Sequence, residues 1–414
     1  MDLLTTSLLF APPAFALGCA AAAIRARNLD RWLLPYLQQQ LSPRRRAPGQ
    51  PVHVLLAIAD HFEPHNGEVD DARARSRVDR WAQEYPKLFG HFRDSDGQPP
   101  RHTFYYPLEQ YDRSEMAALT ELCRDDFGEV EVHLHHDNDT SANLRQRLIA
   151  YRDMLAERHL QLARHLRTGA LAYGFVHGNW ALANCRADGR WCGVDDELDI
   201  LKETGCYADF TFPSAPERTQ PRRINRIYYA NCKGHSQDAP EPGLEKSRRA
   251  ISSNGLMMIP GPLTLDWRRR KWGLLPRIEN ACVQNSQPPT LDRLRLWINA
   301  GMCVANRPDW LFVKLHTHGA PERNQAIVLG EPMVQFHRAL ADHSRQHPEF
   351  SFHYVTTRET YNLARAAEAG WTGSVDAARD FELIWEFDWT CRDGASSAGQ
   401  VEPPQAKIPV SCAK

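Results

Sequence analysis

Short apolar runs that alternate with amphipathic segments constrain the fold of this chain more than any other feature. The first run, residues 52–59 (VHVLLAIA), is almost continuously apolar, which is typical of a strand buried on both faces in a parallel sheet. Similar runs follow at residues 102–106, 129–135, 171–176, 206–212, 226–230, 256–260, 310–315 and 351–355. Helical patterns lie between several of them, which predicts an α/β fold. With roughly seven mainly parallel strands, we expect a (β/α) barrel.

The N-terminal region differs in composition from the rest of the chain. Residues 3–24 contain no charged side chain, and about 20 apolar residues are enough to cross a bilayer. We therefore predict that residues 1–30 form a long apolar helix and a membrane anchor. Residues 31–51 form a basic, proline-rich linker. The arginines after residue 24, several of which lie in this linker, favour a cytoplasmic position for the body of the protein. The alternative is a short buried or surface helix.

The barrel is predicted to span residues 52–380, with two insertions and a tail. The insertions, 213–244 and 262–289, interrupt the alternation of strands and helices. The second insertion contains Trp267-Arg-Arg-Arg-Lys-Trp272, in which bases and aromatics suit a polyanion or a sugar ring, or form a solvated loop. Residues 394–414 are rich in Gly, Ser, Pro and Gln and are predicted to be disordered.

Charge and cysteine usage exclude two classes of function. The 414 residues carry 50 Lys and Arg against 51 Asp and Glu, so we expect no nucleic-acid partner for a chain that is not a polycation. The 10 cysteines include no CxxC pair, so a zinc ribbon is not expected. The unusual count is that of histidine, which reaches 18.

Histidines and carboxylates follow the predicted strands at the points where the strands end. The carboxyl ends of the strands in a (β/α) barrel meet on one face, where active sites are built. We therefore expect seven histidines to gather on that face: His61, His133, His135, His136, His177, His316 and His318.

The run from residue 133 to residue 139 (HLHHDND) has the composition of a metal site. If the chain turns helical after His135, that residue and Asp139 stand one turn apart and can share one ion. His61 would complete a set of three ligands and leave positions open for water and substrate. We expect this site to bind a divalent ion, with zinc as the first candidate. Further candidates for the site are His133, His136, Asp137, His177, Asn179 and His318.

A hydrolytic metal site also needs groups that move protons. Asp60 directly precedes His61 and is the candidate base, with Glu63 as its rival. His316 comes from a distant strand and is the candidate acid. Asp209, at the end of another strand, is expected to orient His316 or to cap a loop.

The order of these segments resembles the polysaccharide deacetylase family, which comprises metal-dependent carbohydrate esterases on a distorted (β/α) barrel. The segment LLAIADHFEP resembles the first motif of that family, which implies that Asp60 is the catalytic base and that His61 replaces a metal-binding Asp. The run from His135 to Asp139 resembles the second motif, with Asp139 in place of the second His ligand. Leu315-His316 resembles the last motif, which implies that His316 is the general acid.

Two further segments are similar in place to family motifs but differ in residues. FVHGNWALAN stands where the third motif carries an Arg and a Pro-Tyr pair, and it has neither. Cys206-Tyr207-Ala208-Asp209-Phe210 stands in the place of the fourth motif. The resemblance covers about residues 52–360 and marks a divergent relative.

The resemblance implies a metal-dependent hydrolase that removes acetyl groups from a polysaccharide or glycan. It favours the cell envelope, whereas the basic residues near the N-terminus favour the cytoplasmic face, so both locations at the membrane stay open. One alternative is a glycoside hydrolase that uses Asp60 or Glu63 with Asp209. Another is a membrane-tethered protein that binds carbohydrate without catalysis.

Overall fold

A computed structural model of the chain describes residues 24–41, 49–231 and 255–385, together with residues 18, 21 and 22. The predicted tail 394–414, most of the predicted anchor 1–30 and part of the insertion 213–244 lie outside these residues. In the part that is described, no helix has the length and apolar character needed to cross a bilayer. A long apolar N-terminal helix is therefore not found among the described residues, and a helix of nine residues lies within the predicted linker.

The elements alternate between strands and helices, as predicted. The helices are α1 (Leu33–Leu41), α2 (Asp71–Phe89), α3 (Arg113–Arg124), α4 (Ser141–His159), α5 (Glu197–Glu203), α6 (Leu291–Asn299), α7 (Glu322–Val328), α8 (Glu331–Gln346) and α9 (Thr357–Glu368). The strands are β1 (Val52–His61), β2 (His102–Pro107), β3 (Gly128–Leu134), β4 (Ala163–His165), β5 (Leu171–His177), β6 (Cys206–Asp209), β7 (Tyr228–Ala230), β8 (Leu256–Met258), β9 (Thr264–Lys271), β10 (Leu275–Glu279), β11 (Trp310–Thr317), β12 (Phe350–Tyr354) and β13 (Leu383–Ile384).

The central sheet is mostly parallel and has the order β11-β1-β2-β3-β5-β6-β8-β7. β12 also pairs in parallel with β1, and β7 runs antiparallel to β8 at the edge. The mixed α/β fold with a mainly parallel sheet is thus confirmed. The closed barrel is wrong for the described residues, since no strand pair joins the two ends of this order.

A buried lysine links β11 to the segment that follows β6. The Nζ atom of Lys314, on β11, donates hydrogen bonds to the carbonyls of Phe210 and Phe212, which follow β6, at 2.7 and 2.6 Å. This side chain therefore connects two parts of the sheet whose strands do not pair with each other among the described residues.

Alternation along the strands divides their side chains between two faces. On β1, Val54 points to the outer face and belongs to a buried cluster with Trp81 of α2. Leu55 points to the inner face and belongs to a second cluster with Leu363 of α9. The same alternation continues to the carboxyl ends of the strands, so it decides which face each polar side chain reaches.

The sequence pattern predicts a helix over Asp70–Tyr85, stopped by Pro86, and another over Ser141–Arg167, but both helices end at other residues. α2 continues through Pro86 to Phe89, instead of ending before the proline, because Tyr85 and Phe89 are buried together with ring centroids 4.8 Å apart. α4 ends at His159 rather than near residue 167, because Leu160 adopts a left-handed conformation with φ of 54°. At Pro86, packing therefore outweighs local helix propensity.

Candidate metal centre

The carboxyl ends of β1, β3 and β11 bring imidazoles together on the inner face of the sheet. His61 ends β1, His133 lies one residue from the end of β3, and His318 directly follows β11. β11 pairs with β1, while β2 alone separates β1 from β3. The ring centroid of His61 therefore lies 5.0 Å from that of His133 and 4.8 Å from that of His318.

Glu63 lies at the centre of these imidazoles. Its Oε1 atom is 3.3 Å from Nε2 of His133, 3.7 Å from Nε2 of His135 and 3.8 Å from Nε2 of His318. Two ligand atoms that share a tetrahedral zinc ion lie about 3.4 Å apart, since each metal–ligand bond is about 2.0–2.1 Å long. Each of these distances by itself is compatible with two ligands of one ion, and the ligand atoms of Glu63, His133 and His61 all lie within 4.8 Å of one another.

The second ring nitrogen of two of these histidines has a fixed acceptor. Nδ1 of His133 donates to the carbonyl of Val176 at 2.9 Å. Nδ1 of His135 donates to the carboxylate of Glu109. Both rings therefore present Nε2 to Glu63, in the arrangement by which a carbonyl or carboxylate orients a metal-ligating histidine.

Glu63 and His61 are shifted toward the forms that bind a cation, whereas His135 is not: burial lowers the pKa of His135, but the hydrogen bond to Glu109 and the charge of Glu63 outweigh it and raise that pKa. Burial by itself raises the pKa of Glu63, but the hydrogen bond from His133 and the nearby imidazoles of His318 and His135 outweigh it and lower the pKa to about 2. Burial, together with His318 and His133, lowers the pKa of His61 well below its usual value. At neutral pH the carboxylate is thus ionised and the His61 imidazole is neutral, as metal ligation requires.

The centre is closed on one side and open on the other. His61 and His133 are buried, whereas the side chains of His135 and His318 are 26% and 25% exposed. The half-buried ring of Trp180 lies 6.0 Å from that of His61 and 6.2 Å from that of His318. A ligand can therefore approach the exposed imidazoles beside an aromatic plane.

Asp60, the predicted base, points to the opposite face of β1. Its carboxylate is fully buried. Oδ2 lies 2.8 Å from Nε2 of His102, and Oδ1 accepts the backbone N–H of Gly319 at 2.6 Å. Because neighbouring residues of a strand face opposite ways, Asp60 and His61 cannot both reach the centre, and Asp60 instead supports the turn that carries His318.

His316 and Asp209 lie deeper on the inner face than the imidazole cluster. Burial, with the nearby Lys314, lowers the pKa of His316 well below its usual value. Asp209 accepts hydrogen bonds from the N–H and the hydroxyl of Thr211, and burial raises its pKa to about 7. Burial also lowers the pKa of Lys314 to about 7. The wall below the centre therefore holds groups that titrate near neutrality or stay neutral.

Asp139 does not meet His61 and His135. Its Oδ2 atom lies 3.3 Å from Nδ1 of His136, and its Oδ1 accepts from the amide of Asn143. His136 and His177 lie on the outer face of the sheet, with ring centroids 4.8 Å apart. The seven histidines thus share the carboxyl end of the sheet but are divided between its two faces.

The two remaining predicted residues support loops. The carboxylate of Asp137 accepts the backbone N–H groups of Asn138 and Trp191. The backbone N–H of Asn179 contacts Nδ1 of His177 at 3.2 Å. Neither side chain is among those around Glu63.

The sequence pattern does not indicate Glu109 as a supporting residue, and it indicates Glu63 as a base or as a carboxylate of a glycoside hydrolase, not as a metal ligand. The position of Glu63 two residues after His61 was the available signal, since residues two apart can share a direction in an extended segment. Glu109 follows β2 in a short turn, where the sequence pattern offers no comparable signal.

Replacing Glu109 with Gln is expected to weaken metal binding by about tenfold, at the lower end of the effect of outer-shell partners. A glutamine oxygen can still accept from Nδ1 of His135, but the negative charge that strengthens this imidazole as a ligand is lost. Competition with a chromogenic chelator measures the affinity, and Glu121→Gln, on the exposed surface of α3, is the control. Equal affinities of Glu109→Gln and the native chain would contradict this role.

A comparison with models of known protein families found no match, and a comparison with curated proteins found none either. The deacetylase resemblance therefore stays a prediction. What stands is that the buried side chains of His61, Glu63 and His133 could hold a metal ion.

Proposed function

We propose that this protein is a metal-dependent hydrolase that removes acyl groups from a carbohydrate, with acetyl as the first candidate for the acyl group. The observation that carries the proposal is the convergence of Nε2 atoms from His133, His135 and His318 on one oxygen of Glu63, beside an opening to solvent. Ligands of open α/β sheets bind at the carboxyl ends of the strands, which is where this group lies.

The ligand set suits a divalent ion such as zinc. Imidazoles favour zinc, and a carboxylate in the set also accepts other divalent ions. Glu63, His61 and His133 would hold the ion, since their ligand atoms all lie within 4.8 Å of one another, and His135 or His318 would join them from the open side. When bound, such an ion polarises an acyl carbonyl and makes water a nucleophile at neutral pH.

One histidine of the inner face that is not a candidate ligand is placed to move a proton. Nδ1 of His316 is buried and has no hydrogen-bond partner among the described residues. Burial and the nearby Lys314 lower the pKa of this ring, so it is neutral at pH 7 and can take up a proton and pass it to a leaving amine or hydroxyl. Asp60 then acts indirectly, through its bond to Gly319.

The carbohydrate part of the proposal is supported by Trp180 and by the resemblance in sequence. An aromatic plane beside polar groups is typical of small-molecule sites, and the Trp180 ring borders the open side of the centre. Its indole N–H is buried and has no partner among the described residues, so it is available to a ligand.

The proposal is tested by assays of metal and acetate on the full chain. We expect bound zinc by elemental analysis, acetate release from acetylated chitin or xylan oligosaccharides, loss of release after chelation and its return with zinc. Bound zinc without acetate release from N- or O-acetylated glycans would overturn the deacetylase. New reducing ends without acetate would indicate the glycoside hydrolase, and binding without any product would indicate the carbohydrate-binding protein.

A further inference from the structure

A second group of metal-binding side chains lies on the outer face of the sheet. His136 follows β3, His177 ends β5, Cys192 lies in the loop after β5, and Glu197 begins α5. All four residues are buried, and one candidate ligand atom from each lies within 4.8 Å of the other three. Burial of four such groups together has a high cost unless they bind one another or an ion.

The distances within the group fit a single ion. Oε1 of Glu197 is 3.1 Å from Nε2 of His136 and 3.9 Å from Nε2 of His177. Oε2 of Glu197 is 3.4 Å from Sγ of Cys192. Ligands of a tetrahedral zinc ion lie about 3.4–3.6 Å apart when the metal–sulfur bond is about 2.3 Å long.

Atoms around the group are arranged as a metal site would require. Nε2 of His177 is buried and has no hydrogen-bond partner among the described residues. The backbone N–H groups of Asn184 and Val194 lie 3.3 and 3.4 Å from Sγ of Cys192, where they would stabilise a thiolate. The carboxylate of Asp139 lies 3.3 Å from Nδ1 of His136, which is the usual position of a group that orients a ligating histidine.

We propose that His136, His177, Cys192 and Glu197 form a structural zinc site, separate from the candidate metal centre. Two imidazoles, a thiolate and a carboxylate make a closed set of four ligands, and thiolate favours zinc over magnesium, calcium or manganese. Ligation through Nε2 places the ring proton of His177 on Nδ1, so the contact from the N–H of Asn179 gives way when the ion binds.

The site would hold the irregular loop between β5 and α5. Four non-glycine residues of this loop have positive φ angles: Trp180, Ala183, Asn184 and Trp191. Such conformations are costly and persist only when the surroundings hold them. Because Trp180 borders the candidate metal centre, the zinc site would position this ring without taking part in the reaction.

Substitution of zinc by Co²⁺ tests this site, because thiolate ligation to Co²⁺ produces a charge-transfer band in the near ultraviolet. We expect the band in the native full chain, its loss in Cys192→Ser and its retention in Cys185→Ser, a matched change of a half-buried cysteine in the same loop. Absence of the band from the native protein would overturn the site, and so would its loss in Cys185→Ser alone. If Cys192→Ser fails to fold, absence of the band from the native protein still overturns the site.

The same samples separate this site from the proposed function. Elemental analysis is expected to give two zinc equivalents in the native chain, one in Cys192→Ser and one in His135→Ala, with the thiolate band kept in His135→Ala. A protein without hydrolytic activity but with the thiolate band would overturn the hydrolase and support the structural site. Acetate release from a protein that lacks the thiolate band would overturn the structural zinc site and support the hydrolase.

Exposed apolar side chains provide an independent observation elsewhere on the molecule. The large apolar residues that are exposed within the described ranges concentrate on two elements, α1 and the β9–β10 hairpin. They are Leu34, Leu37 and Leu41 on α1, and Trp267, Trp272, Leu274 and Leu275 on the hairpin; only Ile149 and Leu166 lie elsewhere. Soluble proteins rarely expose apolar side chains in such groups without a partner.

The two elements are packed together at the base of the hairpin. Trp32, just before α1, and Tyr36, within α1, share a buried cluster with Leu263 and Leu265 at the base of the hairpin. Beyond this base, residues 267–275 are exposed on both faces of the hairpin. The hairpin therefore projects from the body on the side where α1 lies.

The projecting part combines aromatic, aliphatic and basic side chains. Trp272 and Gly273, both with positive φ, form the turn, and Leu274 beside them is 78% exposed. The basic run from Arg268 to Lys271 leads into the turn, and Arg268 pairs with Asp292 of α6. Apolar tips flanked by bases suit the boundary between headgroups and acyl chains of anionic membranes.

We infer that α1 and the β9–β10 hairpin dock this protein onto a membrane surface rich in anionic lipid, with Trp272 and Leu274 entering the headgroup region. This inference does not depend on either metal site. The basic run favours anionic over neutral lipid by charge complementarity, and the tryptophan favours the interface.

Sedimentation with vesicles of phosphatidylcholine alone or mixed with phosphatidylglycerol tests the surface. We expect stronger binding to the anionic vesicles and at least about a tenfold loss in Trp272→Ala/Leu274→Ala, since each buried apolar side chain contributes about that factor. The control Ile149→Ala/Leu166→Ala should bind like the native chain. Equal binding to both vesicles, no loss in the hairpin variant, or capture by a soluble anionic polysaccharide but not by vesicles would overturn the inference.

Discussion

His133→Ala is expected to lower metal affinity and acetate release together, each by more than about 100-fold. Outer-shell partners of a metal contribute about 10–100-fold to affinity or activity, and His133 would contribute a direct ligand. It is the most enclosed of the imidazoles around Glu63, with no exposed surface, and its Nδ1 bond to Val176 holds the ring in place. Removing it leaves Glu63 as a buried carboxylate without its nearest imidazole.

Zinc titration and acetate release on the same preparation measure this effect. His347→Ala, on the surface after α8, is the control and should match the native chain. Circular dichroism checks that the His133→Ala variant is folded. Full zinc occupancy of the inner-face centre in a folded His133→Ala variant would show that His133 is not a ligand. Unchanged acetate release would remove the centre from the reaction.

Arg358→Met is expected to lower the free energy of unfolding by about 3–5 kcal/mol, the usual effect of removing one partner from a buried ion pair. Arg358 of α9 is buried and donates to the carboxylate of Glu129 at 3.0 Å, to Asp380 at 2.6 Å and to the carbonyl of Leu383 at 2.9 Å. Burial raises the pKa of Glu129, and without the guanidinium this carboxyl loses its main stabilising contact.

Urea unfolding followed by fluorescence measures the change. Arg345→Met provides the matched control, because Arg345 is exposed and pairs only across the surface of α8, where such pairs contribute little. We expect a clear fall in the midpoint for Arg358→Met and none for Arg345→Met. Equal midpoints for the two variants would show that the pair with Glu129 does not hold α9 against the inner face.

The strands that carry the candidate centre were predictable because their signal is local. The run before His61 is apolar at nearly every position, and the observed strand has the same start as the predicted one, at Val52. The polar residues at the strand ends then follow from the geometry of parallel sheets, in which carboxyl ends lie at one edge. His61, His133, His135 and His318 all come from such ends.

The grouping of those residues was not predictable. Asp60 and His61 are neighbours in sequence, yet the carboxylate of Asp60 bonds to His102. The ring of His61 lies 4.8 Å from that of His318, on the other face. Asp139 joins His136 instead of His135, because the chain leaves the strand after Leu134 and the helix that follows begins only at Ser141. A shift of one residue in a strand exchanges its two faces, so the pairing partners depend on register as well as spacing.

The sequence by itself determined the alternation of strands and helices, the mainly parallel sheet and the collection of histidines and carboxylates at the strand ends, because hydrophobic period and strand position are properties of neighbouring residues. Only the tertiary structure decided that the sheet stays open in the described residues and that Glu63 lies among three imidazoles. It alone placed Cys192 with His136, His177 and Glu197 on the other face. These arrangements depend on contacts between residues distant along the chain, which packing and strand register determine and local pattern does not.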